Sequence, residues 1–276
     1  MPSIVFLQRL AILSGQSIMT KIHLHSDLHL EVADIDLPGG DLLILAGDIA
    51  VADYFDRPNS KYGERFINFF QRVGRDYNQV LYVPGNHEHY RGNLSRSIAK
   101  IQSTLPKNVF LADRGVFQYN DWTFLIATLW TDFNKGNPIT LSIINGALND
   151  FRLIRIGDDF DRFRPALALI EHNQTKEWLT NTLKHYTDKK VFVITHHAPS
   201  FFSIVEKYKH DFHMNGGYAS DLSDLILNNP QIKYWAHGHI HAPQNYKIGD
   251  TTIIANPRGY AEHEKTGHNV NFMLEI

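Results

Sequence analysis

Hydrophobic positions along this chain fall into short runs, each stopping at a polar residue able to do chemistry. The first, Ile22-His23-Leu24-His25, alternates apolar and polar side chains as a strand does and leads into Ser26-Asp27-Leu28-His29-Leu30-Glu31. Asp41-Leu42-Leu43-Ile44-Leu45-Ala46 is apolar after its first residue, the pattern of a strand covered on both faces, and stops at Gly47-Asp48. Phe66, Ile67, Phe69, Phe70 and Val73 follow at helical spacing, so residues 64–73 predict a helix lying on that sheet. A further apolar run over residues 79–83 ends at Pro84-Gly85 and delivers Asn86-His87-Glu88 into a loop. Residues 94–105 then predict a helix closed by Pro106.

Residues 108–113, 116–119 and 122–130 read as strands, with Asn120-Asp121 as a tight turn. Regularity breaks over residues 132–172, where loop residues Asn134-Lys135-Gly136-Asn137-Pro138 precede helical propensity and then dense mixed charge. A stretch of this length inside a compact domain is expected to be an insertion, a lid over the site. The pattern resumes with a helix over 165–186, a strand over 190–195 ending in His196-His197, and a short helix over 221–227. A strand over 232–236 ends in His237-Gly238-His239-Ile240-His241, followed by a hairpin at Gly249-Asp250 and a last strand over 270–274. This order predicts an α/β sandwich with its site along one sheet edge, at strand C-termini. Without a repeat or a second core, residues 21–276 are expected to form a single domain and residues 1–20 an extension outside it.

Composition narrows the chemistry. The hydrophobic fraction, 43% of 276 residues, is that of an ordinary globular protein, and 27 basic against 29 acidic residues leave a net charge of −2. No block of like charge stands out, so nucleic acid is not favoured as a partner and a small substrate is expected. The absence of cysteine excludes disulfides and thiolate metal sites. The 16 histidines suit a centre of imidazole, carboxylate and amide ligands, hence Mn, Fe or Zn. No basic residue precedes the apolar stretch at the N-terminus, and no run approaches the roughly 18 residues of a membrane span. A cytoplasmic, membrane-free protein is expected, with a weak signal peptide as the alternative.

Five strand ends carry ligand-type residues: Asp27 with His29, Asp48, Asn86 with His87, His196 with His197, and His239 with His241. Singly, each has an ordinary structural explanation; Gly-Asp after a strand, for instance, is a common turn. Together and in this order they resemble the calcineurin-like metallophosphoesterase superfamily, through Asp27-Leu28-His29, Gly47-Asp48, Gly85-Asn86-His87-Glu88, Thr195-His196-His197 and Gly238-His239-Ile240-His241. The resemblance spans residues 21 to about 260. It implies a four-layer αββα sandwich, two mixed β-sheets flanked by helices. It further implies two divalent metal ions, one held by Asp27, His29 and His241, the other by Asn86, His196 and His239, with Asp48 bridging. Of the His196–His197 pair, the first matches the family's ligand and the reverse assignment stays open.

One carboxylate can hold two cations close enough for a bridging hydroxide to form and attack phosphorus in line. The resemblance puts His87 beside the leaving oxygen as proton donor, with Glu88 positioning it or a ligand. Arg258 is a candidate phosphate clamp or a surface ion pair, and His23 and His25 are read as packing or supporting residues. The expected activity is hydrolysis of a phosphomonoester or phosphodiester of a small molecule, with Mn2+ the favoured ion. The alternative is a catalytically silent interaction module of the same fold.

Overall fold

A computed structural model describes residues 19–276 and the backbone of Val5–Phe6. Of the N-terminal extension expected over residues 1–20, residues 1–4 and 7–18 lie outside the described residues. In chain order the elements are β1 (Val5–Phe6), β2 (Lys21–His25), β3 (Gly40–Ala46), α1 (Lys61–Asp76), β4 (Tyr77–Val83), α2 (Leu94–Gln102) and β5 (Val109–Leu111). Next come β6 (Gly115–Tyr119), β7 (Trp122–Ala127), α3 (Phe133–Gly136), α4 (Pro138–Ala147), α5 (Asp150–Leu153), β8 (Arg155–Ile156) and β9 (Asp161–Arg162). The chain closes with α6 (Pro165–Leu183), β10 (Lys190–Thr195), α7 (Phe212–Asn215), α8 (Ser223–Leu227), β11 (Ile232–Ala236), β12 (Gln244–Ile248), β13 (Thr251–Ala255) and β14 (Met273–Glu275).

Two mixed sheets form the centre, one ordered β1-β6-β7-β10-β11-β13-β12 and the other β14-β2-β3-β4-β5. Successive side chains of a strand point to opposite faces, and the continuous apolar runs use both. Leu42 and Ile44 face the second sheet, packing with Ile22, Leu24, Leu81 and Val83 against Phe124, Ile126, Phe192 and Ile194. Leu43 and Leu45 face outward, onto Phe66, Phe69, Phe70 and Val73 of α1. On the far side, Val191, Val193, Trp235 and Ile253 pack beneath Leu179 and Leu183 of α6 and Ile226 of α8. The result is the four-layer αββα sandwich, with each fully buried Ile or Leu contributing about 1.5–3 kcal/mol of transfer free energy.

Parallel pairing matters most for the site. Strands β2, β3 and β4 run parallel, as do β7, β10, β11 and β13, so their C-terminal ends emerge along one edge.

Several boundaries differ from the sequence expectation for local reasons. Helix α1 starts earlier, because the Ser60 hydroxyl accepts from Gly63 N at 3.1 Å and caps it. The strand expected over 122–130 stops at Ala127, since Leu129 (φ 75°) and Trp130 (φ 47°) turn left-handed. The last strand, expected over 270–274, is Met273–Glu275. Just before it, Asn269 exchanges backbone hydrogen bonds with the Asn256 side chain, donating to Oδ1 at 3.0 Å and accepting from Nδ2 at 2.9 Å. Phe133, Ile144, Phe151, Ile154 and Phe163 of residues 132–172 gather in a cluster with Trp130.

The C-terminal segment is pinned to β2 by His25 Nδ1 and His268 Nε2, 2.9 Å apart. Burial lowers both, His25 to about 3 with further lowering by His268 and His23, and His268 to about 4 with further lowering by Arg258. Folded-state values below the unfolded 6.5 mean that the unfolded chain binds more protons in acid, so this pair's stability is present above pH 6.5 and lost as pH falls toward 4. Thermal melts between pH 7 and 4.5 should therefore show an acid-side fall in Tm. His268→Gln should shrink that fall by about 2–4 °C, the shift expected for roughly 1 kcal/mol in a chain of this size; an unchanged profile would remove this pair as a source.

Candidate metal centre

Three of the strand ends, those of β2, β3 and β11, contribute side chains through an unusual backbone. Asp27 (φ 51°), His29 (φ 43°), Asp48 (φ 56°) and His239 (φ 67°) all sit in the left-handed region that non-glycine residues rarely adopt. Asp27 and His29 therefore do not share a face as alternate residues of a strand. Strand β2 ends at His25, and two left-handed turns aim the side chains instead. The turns are held by backbone bonds from Asp27 N to Gly47 O at 2.9 Å and from His29 N to Asp48 O at 3.0 Å. Gly47 and Gly85 are required by crowding: a Cβ on Gly47 would strike the His196 ring, and one on Gly85 would strike the Asp48 carboxylate.

The seven candidate ligands converge in two groups. Asp27, His29 and His241 place one donor atom each within 4.8 Å of one another, and so do Asp48, His196 and His239. Asn86 joins the second group, its Oδ1 3.0 Å from His196 Nε2. Asp48 faces both: Oδ1 lies 3.4 Å from His196 Nε2, and Oδ2 lies 4.0 Å from His29 Nε2.

The imidazoles are oriented from behind. His196 Nδ1 lies 2.9 Å from Ala46 O, His29 Nδ1 lies 3.2 Å from Glu31 Oε1, and His241 Nδ1 lies 2.6 Å from Glu264 Oε1. An acceptor at Nδ1 keeps the proton there and turns the Nε2 lone pair toward the centre. The Nε2 atoms of His29 and His241 then face each other at 3.2 Å, and His239 Nε2 is buried without any protein partner. Two Nε2 atoms turned toward each other and an orphaned buried nitrogen call for positive charge, and the mixed nitrogen and oxygen donors fit a divalent cation.

The electrostatics agree. Burial works to lower His196 and His241, yet the charge of Asp48 holds His196 up at about 10 and that of Asp27 holds His241 up at about 9. Burial works to raise Asp27, and its hydrogen bond and charge interaction with His241 hold it down at about 2.

His87 stands beside the first group, its ring centroid 4.5 Å from that of His29. Its Nδ1 is 3.0 Å from Glu31 Oε1, its Nε2 is 3.2 Å from the Tyr260 hydroxyl, and its ring stacks on Tyr90 at 4.1 Å. Against burial, Asp48 and Glu31 raise it to about 9. Glu88 does not reach His87. It accepts from the backbone N–H groups of Asp48, Ile49, Ala50 and Gly85 and from the Tyr82 hydroxyl, tying the ends of β3 and β4 together. Burial and the nearby Asp48 push its carboxyl up to about 7, against those donors.

His197 packs against Trp130 and His239, with Nδ1 3.2 Å from Thr128 O; it stands behind the centre while His196 faces it. Arg258 is not brought to the cluster. Its guanidinium donates to the carbonyls of Leu28, Ala33 and Asp34, bracing the loop after β2, so a phosphate clamp is not its arrangement here. His23 packs against Tyr77, its Nδ1 3.0 Å from the hydroxyl.

Glu31, Glu264, Asp150 and Tyr260 carry the centre's supporting contacts, and sequence reasoning gave none of them a role. Only Glu31, two residues after His29, offered a local signal.

A cavity of 820 Å³ opens onto the centre, walled by Leu148, Ile204, Met214, Tyr218 and Tyr260 beside Asp48, Asn86 and His87. Among the described residues no helix is long and apolar enough to cross a membrane.

An αββα sandwich with imidazole and carboxylate clusters at the strand ends is the architecture of a metal-dependent phosphoester hydrolase. The comparisons agree. The model of a family described as calcineurin-like phosphoesterase matches residues 22–243. An uncharacterized protein of Acanthamoeba polyphaga mimivirus is 31% identical over 278 residues, covering 91% of this chain and 95% of that protein. The crystal structure of a phosphopantetheinyl hydrolase from Mycobacterium tuberculosis superposes with a TM-score of 0.65 at 15% identity, over 94% of this chain and 96% of that one. A dimetal phosphatase from Danio rerio superposes with a TM-score of 0.50 at 12% identity, over 93% and 98% of the two chains. The chain belongs to the calcineurin-like phosphoesterase family.

Replacing Glu88 by Ala would leave four backbone donors and one hydroxyl without their acceptor. Urea unfolding of Glu88→Ala should show a loss of about 3–5 kcal/mol, since buried unsatisfied groups cost about 1–3 kcal/mol each and waters recover part. A loss under about 1 kcal/mol would mean that Glu88 is not the tie between the two loops.

Proposed function

We propose that the chain is a dinuclear phosphoesterase acting on small phosphorylated molecules, with Mn2+ the favoured ion pair and Fe or Zn as alternatives. The observation that carries this reading is Asp48, a carboxylate with one oxygen toward each group of candidate ligands. In this reading Asp27, His29 and His241 hold one ion, Asn86, His196 and His239 hold the other, and Asp48 is shared. Bound divalent ions supply the charge that neutralises phosphoryl oxygens and acidifies an attacking water.

The chain's own residues do the rest. Glu31 accepts from His87 Nδ1 and fixes the ring, while Tyr90 stacks beneath it. With its pKa raised to about 9, His87 holds a proton at Nε2 at neutral pH and gives it to the leaving oxygen as the P–O bond breaks. The organic part of the ester occupies the cavity, whose volume lies within the range of about 300–1,000 Å³ usual for small-molecule sites. The Mycobacterium tuberculosis and Danio rerio proteins of this fold are named as a phosphopantetheinyl hydrolase and a dimetal phosphatase.

Hydrolysis of nitrophenyl phosphate and bis-nitrophenyl phosphate by the full chain with added Mn2+ tests the reading. Turnover should disappear with chelator and fall at least about a hundredfold in Asp48→Ala. Two bound ions with no turnover of any ester would favour the silent interaction module instead. His87→Ala should keep its metal content and lose about 10²–10⁴ in kcat, most strongly with poor leaving groups. Loss of metal from that variant would show that His87 is a ligand and not the proton donor.

A further inference from the structure

Asn86 is the candidate ligand whose usefulness depends on which way round it sits. An amide oxygen can face a cation, and an amide nitrogen cannot. Its Oδ1 lies toward His196, and its Nδ2 points the other way, donating to Asp150 Oδ1 at 2.8 Å and to the Tyr90 hydroxyl at 3.2 Å. The Tyr90 hydroxyl in turn donates to the same Asp150 oxygen at 2.6 Å, closing a triangle. Asp150 is 3% exposed and opens α5, within the 132–172 insertion rather than on the sandwich. Among the described residues it has no Lys or Arg within ion-pair distance, so an ordinary salt bridge does not account for its burial.

Asp150 Oδ1 accepts from both Asn86 Nδ2 and the Tyr90 hydroxyl, so it has no proton to offer an amide oxygen. Were the Asn86 amide reversed, its oxygen would face the lone pairs of Asp150 and its N–H groups would face the centre. We propose that Asp150 is a positioning residue for Asn86: it selects the amide orientation that turns Oδ1 inward, and so makes the metal position of Asp48, Asn86, His196 and His239 depend on the insertion. This rests on the dinuclear reading above. It assigns the insertion a task beyond walling the cavity, because a side chain outside the sandwich completes one of its two metal positions.

Calorimetric titration of the metal-stripped full chain with Mn2+ separates the inference from that reading. Wild-type protein should bind two ions, and Asn86→Ala should lose the tighter definition of one; no binding by the wild type, or unchanged binding by Asn86→Ala, overturns the reading itself. Asp150→Leu, close in size and without an acceptor, should weaken one ion by about ten- to a hundredfold and leave the other as in wild type. The exchange variant Asn86→Asp/Asp150→Asn restores one donor opposite one acceptor and should recover most of the loss. Two ions bound by Asp150→Leu as tightly as by wild type would overturn the inference alone. Should Asp150→Leu fail to fold in a thermal melt, Tyr90→Phe keeps the ring on His87 and deletes the hydroxyl of the triangle. Weakening of the same ion in that variant supports the inference, and unchanged affinity for both overturns it.

Discussion

The buried Glu88 carboxylate is the tie on which the centre depends. Its two oxygens gather backbone donors from both sides of the site, Asp48, Ile49 and Ala50 after β3 and Gly85 after β4. A loop following a strand ordinarily satisfies its N–H groups with water or its own turn. Here the donors point inward to one acceptor, and that is what allows Asp48 to sit left-handed with its carboxylate between the two ligand groups. Loss of the acceptor would disturb the fold and the site together, because the same hydrogen bonds serve both.

A second constraint is charge. The edge of the sandwich collects carboxylates and imidazoles in largely buried space, an arrangement that is costly unless positive charge enters. Protons on His196 and His241 supply it in the bare protein, which is why Asp48 and Asp27 hold those rings well above their ordinary values. Divalent cations supply it better where the Nε2 atoms of His29 and His241 face each other and where His239 Nε2 has no partner. Asp27, His29, Asp48 and His239 all carry left-handed strain at this edge. Behind it, the two-faced apolar strands and the cover of α1, α6 and α8 provide a rigid frame to hold it.

The sandwich was legible because its signals are local. A strand buried on both faces must be apolar throughout, as residues 42–46 and 191–194 are, and a helix on one face must repeat near 3.6, as Phe66 to Val73 do. The ligand groups were legible for a related reason: each is a short phrase at a strand end, and parallel pairing brings strand ends together. Arg258 shows where such reading fails. A guanidinium suits phosphate and backbone carbonyls equally well, and only the fold of residues 28–34 around it decided for the carbonyls.

By itself, then, the order of apolar runs and terminal ligands determined the sheet-and-helix architecture, the edge carrying the chemistry and the residue types facing it. Tertiary structure decided what no local phrase encodes. It set Asp27 and His29 by left-handed turns rather than by strand alternation, and placed Glu264 behind His241 and Asp150 behind Asn86. Of the two roles open to Glu88, it gave the one toward a ligand, through the Asp48 backbone, and not the one toward His87. The physical reason is range. Periodicity and turn chemistry act within a few residues, whereas the orientation of His196, His241 and Asn86 depends on acceptors that reach them from distant parts of the chain.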